Sequence, residues 1–359
     1  MELQTFIDDN TNFLDKFKEN NLYIRKYSLL KLILVKAKNG INYDYESHPW
    51  MRYCRGAIIN IETNRVVCIP PTKSIQKEKI DMEEYDNTFI LEPLVDGVMI
   101  NMFYHAGEWN ISTRSNIGAK NKWDGKKPFH QLFKNVNGVE WFNDLNKECC
   151  YSFTLQHKDN RIITPVYKNT IFLNEVHNLE GGGIVKLNRA EFPKIDGIED
   201  IMLLEQKDIN LYLETDNIFS VKGFTIKKDS LRIKWINPNY EYVEKLKVNN
   251  NNKFFSYVEL RRTFKLTEYL EYFPEEQYLF DNYKNNYNLM KNELYNSYVS
   301  LKIKREKEWS DIRYEFKPLV NELHSEYKDG KGKINAQYVT AYMERLPIGK
   351  LFFIYNRIF

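Results

Sequence analysis

The sequence predicts an α+β protein: antiparallel sheets flanked by helices, then an all-helical C-terminal domain. Three observations predict it. From about Trp50 to Val243, short runs rich in β-branched and aromatic residues are separated by turn chemistry. The stretch KVNNNNKFF, Lys247–Phe255, has almost no apolar content and reads as a linker. Beyond it, apolar residues recur at helical spacing up to Phe359. The expected boundaries are residues 1–246 for the first domain, 247–253 for the Asn-rich linker and 254–359 for the helical domain.

Each element has its own signal. Phe6, Phe13, Leu14 and Phe17 fall at helical spacing and predict a short amphipathic helix, with extended chain following it to about Asn39. GAIINI, RVVCIP, VMINMFY, EWNISTR, YSFTLQH, TIFLNEVHN, IFSVKGFTIKK and LRIKWI predict strands. His105-Ala106-Gly107-Glu108 and Lys228-Asp229-Ser230 predict tight turns. FILEPLVDGVMINMFY, Phe89–Tyr104, reads as two strands about a Val95-Asp96-Gly97 turn. EGGGIVKL reads as a flexible joint; its glycines lack the lysine and Ser/Thr spacing of a phosphate-cradling loop. In the tail, Tyr287, Met290, Leu294, Tyr298 and Leu301 line one helix face. The proline of FKPLVNEL starts or kinks a helix, and KDGKGK ends one.

Bulk properties narrow the function classes. With 359 residues, 43% hydrophobic and 28% charged, the chain is long enough for two folded domains and is not disordered. A net charge of +3 permits a nucleic-acid partner without demanding one, because only a clustered patch is a footprint. The 25 Tyr and 22 Phe have a plain source in A+T-rich codon usage, which weighs more than base stacking. Cys54, Cys68, Cys149 and Cys150 show neither CxxC nor Cys/His spacing. That predicts a reducing compartment, cytoplasmic or similar, and no structural zinc. His105, His130, His157 and His177 are scattered without ligand spacing. No signal peptide or membrane-spanning run is seen, and no hydrolase elbow.

The order of several pieces carries more than any one of them. The chain presents RYCRGAIIN, then LVDG, STRS, FTLQHKDNRIITPVY, VKGFTI and LRIKW. This series resembles the covalent nucleotidyltransferase superfamily, and within it the bacteriophage type of RNA ligase, over about residues 50–245. The family pattern is an upstream Arg-Gly, Lys-x-Asp-Gly, Phe-Glu-Leu followed by Asn-Arg-Ile-Val, Glu-Gly and Lys-x-Lys. The resemblance implies a nucleotidyltransferase-like fold with an ATP-holding cleft. In the family a lysine takes AMP from ATP and passes it to an RNA 5′-phosphate. Such chemistry needs an activated amine, carboxylates for a divalent metal, and cations facing the phosphates.

This sequence departs from the pattern at three positions. Leu94 stands where the nucleophilic lysine would be, Thr154 replaces the Glu of Phe-Glu-Leu, and Lys222 replaces the Glu of Glu-Gly. A lysine ammonium about 6 Å from Mg²⁺, at an effective dielectric of about 20, is repelled by roughly 5 kcal/mol. A divalent metal is therefore not expected. The resemblance leaves Arg55, Asp96, Gly97, Arg114, Arg232 and Lys234 in place, and Lys222 adds a cation, as a phosphate-binding set. Asn160, Arg161 and Gly223 also match the pattern.

Plainer readings stand beside these. Leu94 and Val95 suit a hairpin core, Asp96 suits a turn, Arg55 suits a strand start, and Arg161 suits a loop tied to backbone. Arg232 and Lys234 share a strand face with each other, and solvent is the default for such a face. KIKREKEW, Lys302–Trp309, reads as a basic helix, either solvated or holding RNA backbone through Lys302, Lys304 and Arg305. Arg161 is the fourth RNA candidate. The expectation is a degenerate RNA-ligase-like protein with no catalytic residues that binds RNA ends or a nucleotide, as an accessory or structural subunit. ATP or another nucleotide is the candidate ligand; RNA is the expected partner, protein partners are open, and no membrane is expected. Two rivals remain: a ligase with a relocated nucleophile, Lys222 or Lys234, and a purely architectural virion or polymerase-associated protein.

Overall fold

Four consecutive apolar residues, Leu32–Val35, call for a strand covered on both faces, and in the computed structural model all four are fully buried. The structure describes residues 2–122, 127–137, 145–214, 218–229, 231–248, 250 and 252–359. It divides into two compact units, Met1–Glu244 and Lys245–Phe359.

In the first unit, β1 (Leu22–Tyr27), β2 (Leu32–Ala37), β3 (Arg55–Asn60) and β4 (Arg65–Cys68) form an antiparallel meander. Two helices cover it, α1 (Glu2–Asp9) and α2 (Phe13–Glu19). One helix was expected here. Asn10 and Asn12 break it, since short polar side chains compete for helix backbone; Asn10 Nδ2 donates to Phe6 O at 2.7 Å. Phe6 stacks on Trp50 at 4.0 Å between ring centroids, closing this core.

A second sheet is ordered β12-β11-β10-β7-β8-β9. Its strands are β7 (Val98–His105), β8 (Glu108–Thr113), β9 (Asn116–Ile117), β10 (Cys149–Gln156), β11 (Thr170–Asn178) and β12 (Val185–Lys186). The short β13 (Ile198–Asp200) joins β11 in parallel. The His105–Glu108 turn is a tight hairpin with both central residues at positive φ, Ala106 at 52° and Gly107 at 86°. The three glycines of EGGG form the turn between β11 and β12 rather than a joint between bodies. Helix α3 (Phe129–Asn137) packs Phe129, Leu132 and Phe133 into this core.

A third sheet is ordered β5-β15-β14-β6, from β5 (Ile75–Gln76), β6 (Ile90–Pro93), β14 (Gly223–Lys228) and β15 (Leu231–Ile236). Its β5 edge is parallel, the other pairings antiparallel. Only the second half of IFSVKGFTIKK is strand, and Ser230 of its turn lies outside the described residues. Helix α4 (Gln206–Glu214) buries Ile209 in this core.

The third sheet corrects the hairpin reading of Phe89–Tyr104. β6 pairs with β14, and β7 pairs with β8 and β10, so Leu94–Gly97 carries the chain from one sheet to another. The crossover is anchored by Leu94 N–H, which donates to Gly223 O at 2.8 Å. Gly223 sits at φ +134°, and a Cβ there would lie 2.1 Å from Trp235 O. Gly223→Ala is expected to cost about 3 kcal/mol, lowering the melting temperature by about 6–12 °C in a thermal unfolding scan.

In the second unit, α5 (Pro238–Leu246) crosses the boundary, and α6 (Lys253–Arg262) is capped by Asn252, whose side chain accepts from Phe254 N–H at 2.9 Å. Asn249 and Asn251 of the expected linker lie outside the described residues. There follow α7 (Leu266–Tyr272), α8 (Gln277–Tyr298), α9 (Lys317–Lys328), α10 (Ala336–Arg345) and α11 (Ile348–Ile358). Tyr287, Met290, Leu294 and Tyr298 are the buried face of α8, and Pro318 lies in the first turn of α9. The basic run is not a regular helix: Val299–Lys304 is a π-helical turn that Arg305 ends at φ 60°. Arg305 N–H donates to Ser300 O, and Glu306 N–H donates to the same oxygen at 2.9 Å, closing the turn with Arg305 as its cap. Among the described residues, no helix is long and apolar enough to cross a membrane.

Candidate anion-binding cleft

A cavity of about 310 Å³ collects residues from many parts of the first unit. β3 contributes Arg55, the 70–74 loop Lys73, and the end of β8 Arg114. The crossover contributes Leu94 and Gly97. Lys222, Arg232 and Lys234 come from the β14–β15 region. Thr154 lines the same cavity and accepts a hydrogen bond from Asn174 Nδ2 at 2.7 Å. Thus Arg55, Gly97, Arg114, Arg232 and Lys234 line the same cavity as the three substituted positions, Leu94, Thr154 and Lys222. Gly56 makes one of these approaches possible: at φ +106°, it lies so close to Arg114 that a Cβ would be 2.8 Å from Arg114 Cα.

The cations feel one another. Arg55 is pushed down to about 10, by burial first and then by Arg114 and Arg232. Burial lowers Lys73, and Arg55 and Arg114 lower it further. Burial lowers Lys234, and Lys73, Lys222 and Arg55 add to it. Arg114 Nη2 donates to Ala37 O and Asn39 Oδ1, at 3.3 and 3.4 Å. Among the described residues no carboxylate is in ion-pairing contact with Arg55, Lys73, Arg114 or Lys234; Glu244 opposes the lowering of Lys234 only from farther off.

Asp96 is the exception in the expected phosphate set. Its carboxylate does not line the cavity; it accepts four hydrogen bonds from the protein. Lys222 Nζ and Tyr240 Oη donate to Oδ1 at 2.9 and 2.6 Å, and Ile163 and Thr164 N–H to Oδ2 at 2.9 and 3.0 Å. Burial pulls its pKa upward, but Lys222 and the Tyr240 hydrogen bond outweigh that and hold it below the usual carboxylate range. Asp96 therefore ties the crossover to three distant segments.

Two other carboxylates sit close by, and the sequence reading missed them. Glu92 lines the cavity and Glu175 lies behind it; both are 4% exposed. Lys227 Nζ bridges them, 2.5 Å from Glu92 Oε2 and 3.3 Å from Glu175 Oε1. Arg189 approaches Glu92 to 3.0 Å, while Arg232 and Lys186 approach Glu175 to 3.4 and 3.7 Å. Burial alone would raise Glu175, but Lys227, Lys186 and Arg232 hold it far below the carboxylate range. Arg232 thus lines the cavity with its charge matched in part, by a carboxylate that Lys227 and Lys186 share. Every carboxylate here is bound to cations, and among the described residues no His, Cys, Asp or Glu cluster has metal-holding geometry.

The RNA candidates lie elsewhere. Arg161 Nε donates to Ile163 O at 2.9 Å and is not part of the cavity lining, which matches the plainer reading of a loop tie. In the second unit, Lys302 stands 5.4 Å from the Trp309 ring centroid, and Lys304 pairs with exposed Glu306 at 3.6 Å. The four cysteines are buried free thiols.

No family model and no curated protein matches the chain. Among solved structures it is similar to a putative ATP-dependent DNA ligase from Aquifex aeolicus, with a TM-score of 0.46, 14% identity, and 77% of this chain and 76% of that one covered. It is similar to an archaeal ATP-dependent RNA ligase at 0.44 and 11%, covering 76% and 74%. An RNA ligase from Naegleria gruberi aligns at 0.36 and 12%, covering 50% and 60%.

Proposed function

We propose that the chain is a degenerate relative of the covalent nucleotidyltransferases, of the phage RNA-ligase kind, whose cleft binds a nucleotide or a phosphorylated RNA end without forming a lysyl–nucleotide bond. The ordered pieces from Arg55-Gly56 to Arg232 and Lys234 support the family reading. One observation carries the rest: Leu94 shares a cavity with four cations, Arg55, Lys73, Arg114 and Lys234, that among the described residues are in ion-pairing contact with no carboxylate. Aliphatic Leu94 cannot attack phosphorus, and the cations favour an anion with no metal between. Lys222 occupies the place of a metal-holding carboxylate and is itself engaged by Asp96. Such a protein would serve as an accessory subunit that presents or protects RNA ends.

Two measurements test this reading. A short RNA with a 5′-phosphate should bind more tightly than its 5′-hydroxyl counterpart in fluorescence anisotropy. Its log affinity should fall against log salt with a slope of about −2 to −3 if the unmatched cations meet phosphates. Equal affinity for the two RNAs, with no salt dependence and no thermal shift from ATP or GTP, would favour an architectural protein. Incubation with α-labelled ATP and Mg²⁺ or Mn²⁺ should leave no labelled band on a denaturing gel.

A relocated nucleophile has one observation in its favour. Lys234 is desolvated among cations and its pKa is lowered, which suits an attacking amine. Under that reading a labelled band appears and Lys234→Ala abolishes it. Lys222 is the poorer nucleophile because its ammonium is held by Asp96 at 2.9 Å.

A further inference from the structure

The charges of the cleft set the charge of what it holds. Six cations line the cavity: Arg55, Lys73, Arg114, Lys222, Arg232 and Lys234. Lys222 is matched by Asp96 at 2.9 Å, while Arg232 shares Glu175, at 3.4 Å, with Lys227 and Lys186 and is matched only in part. Glu92, which also lines the cavity, is matched by Lys227 and Arg189. Arg55, Lys73, Arg114 and Lys234 are left, so four positive charges face one space of about 310 Å³ with no carboxylate among the described residues in ion-pairing contact with them, although Glu244 attracts Lys234 from farther off. That volume is at the low end of the range for ligand pockets, about 300–1,000 Å³.

A phosphate monoester brings about two negative charges and neutralises half of this excess. A metal-free pyrophosphate or triphosphate chain brings roughly twice as many. Mg²⁺ bound to such a chain cancels two of its charges and adds a dication among these cations, where like charges repel. In a metal-dependent phosphoryl-transfer site, carboxylates take up the charge of the ion; here Asp96, Glu92 and Glu175 are already taken by lysine and arginine.

We propose that the cleft selects a metal-free polyphosphate chain, carried by a free nucleotide or by a 5′-triphosphate RNA end, and that Mg²⁺ opposes its binding. This rests on the phosphate-binding reading above and narrows it to a ligand class and a metal dependence opposite in sign to that of a metal-assisted site. Selection follows from charge matching: the cations are fixed by the fold, so a ligand whose charge is half cancelled forfeits about half of the attraction.

Isothermal titration of the full chain tests it. Inorganic tripolyphosphate, ATP and a short 5′-triphosphate RNA are titrated in EDTA and again in excess Mg²⁺, with ionic strength matched by NaCl. Mg²⁺ should weaken each bound ligand by about tenfold or more, equivalent to about 1.4 kcal/mol. In EDTA the ratio of affinities for ATP and the 5′-triphosphate RNA identifies the source of the chain. If Mg²⁺ tightens binding or leaves it unchanged, the inference is overturned while the phosphate-binding cleft stands. If none of the three binds in either buffer, both readings fall together.

Discussion

Asp96→Ala is expected to destabilise the first unit by about 3–5 kcal/mol, the range for breaking a buried ion pair from one side. The carboxylate is 2% exposed, and its loss strands the Tyr240 hydroxyl, two backbone N–H groups and the Lys222 ammonium. Lys222 is 22% exposed and can recover some water, which favours the lower half of the range. In a unit of this size the melting temperature should fall by about 6–15 °C. Lys222→Met in the same chain should return part of the loss, because the two sites are coupled; additive losses would show that the pair does not hold the crossover. The effect also depends on pH. The Asp96 pKa is lowered in the folded state, so its contribution is fully present above the ordinary aspartate range. It disappears as pH falls through the folded value. The gap between wild type and Asp96→Ala, measured by denaturant titration, should therefore close in acid.

Local chemistry was legible in the sequence, and long-range pairing was not. The His105–Glu108 hairpin was readable because its turn residues dictate its backbone. The buried face of α8 was readable from spacing alone. The crossover at Leu94–Gly97 was not: its strand partner follows far along the chain, with Asp96 and Lys222 126 positions apart. Two apolar runs about an Asp-Gly look the same whether they pair with each other or with distant strands. The order of the motif pieces did bring Arg55, Arg114, Arg232 and Lys234 to one place. Lys73 escaped because a lysine in a proline-bounded loop has no periodicity to mark it. Glu92 and Glu175 did leave a signal. Each is a lone charge inside an apolar strand, ILEP and IFLNEV, and a carboxylate buried there must find a cation. The basic helix at Lys302–Trp309 was overread, since charge alone cannot tell a regular helix from a π-helical turn that ends at Arg305.

The double substitution Lys73→Ala with Lys234→Ala should separate binding from stability, because the two quantities move in opposite directions. Each lysine stands ready for a charge-assisted hydrogen bond, worth about 1.5–3 kcal/mol when made, so affinity for tripolyphosphate in EDTA should fall by at least about a hundredfold. The ligand-free protein should become more stable. Burial and neighbouring cations lower both lysines, which means the folded chain holds their protons less firmly than the unfolded chain does. Folding thus works against these two charges, and removing them relieves it. Screening by solvent limits the gain to a rise of about 1–3 °C in melting temperature. The same imbalance fixes the pH response. As pH rises toward the ordinary lysine range, the folded chain sheds these protons first, so ligand-free stability increases while polyphosphate affinity declines. In the double variant both slopes should flatten. If the variant is less stable than the parent and still binds tripolyphosphate as tightly, the two lysines are packing elements and the cleft does not gather charge for a ligand.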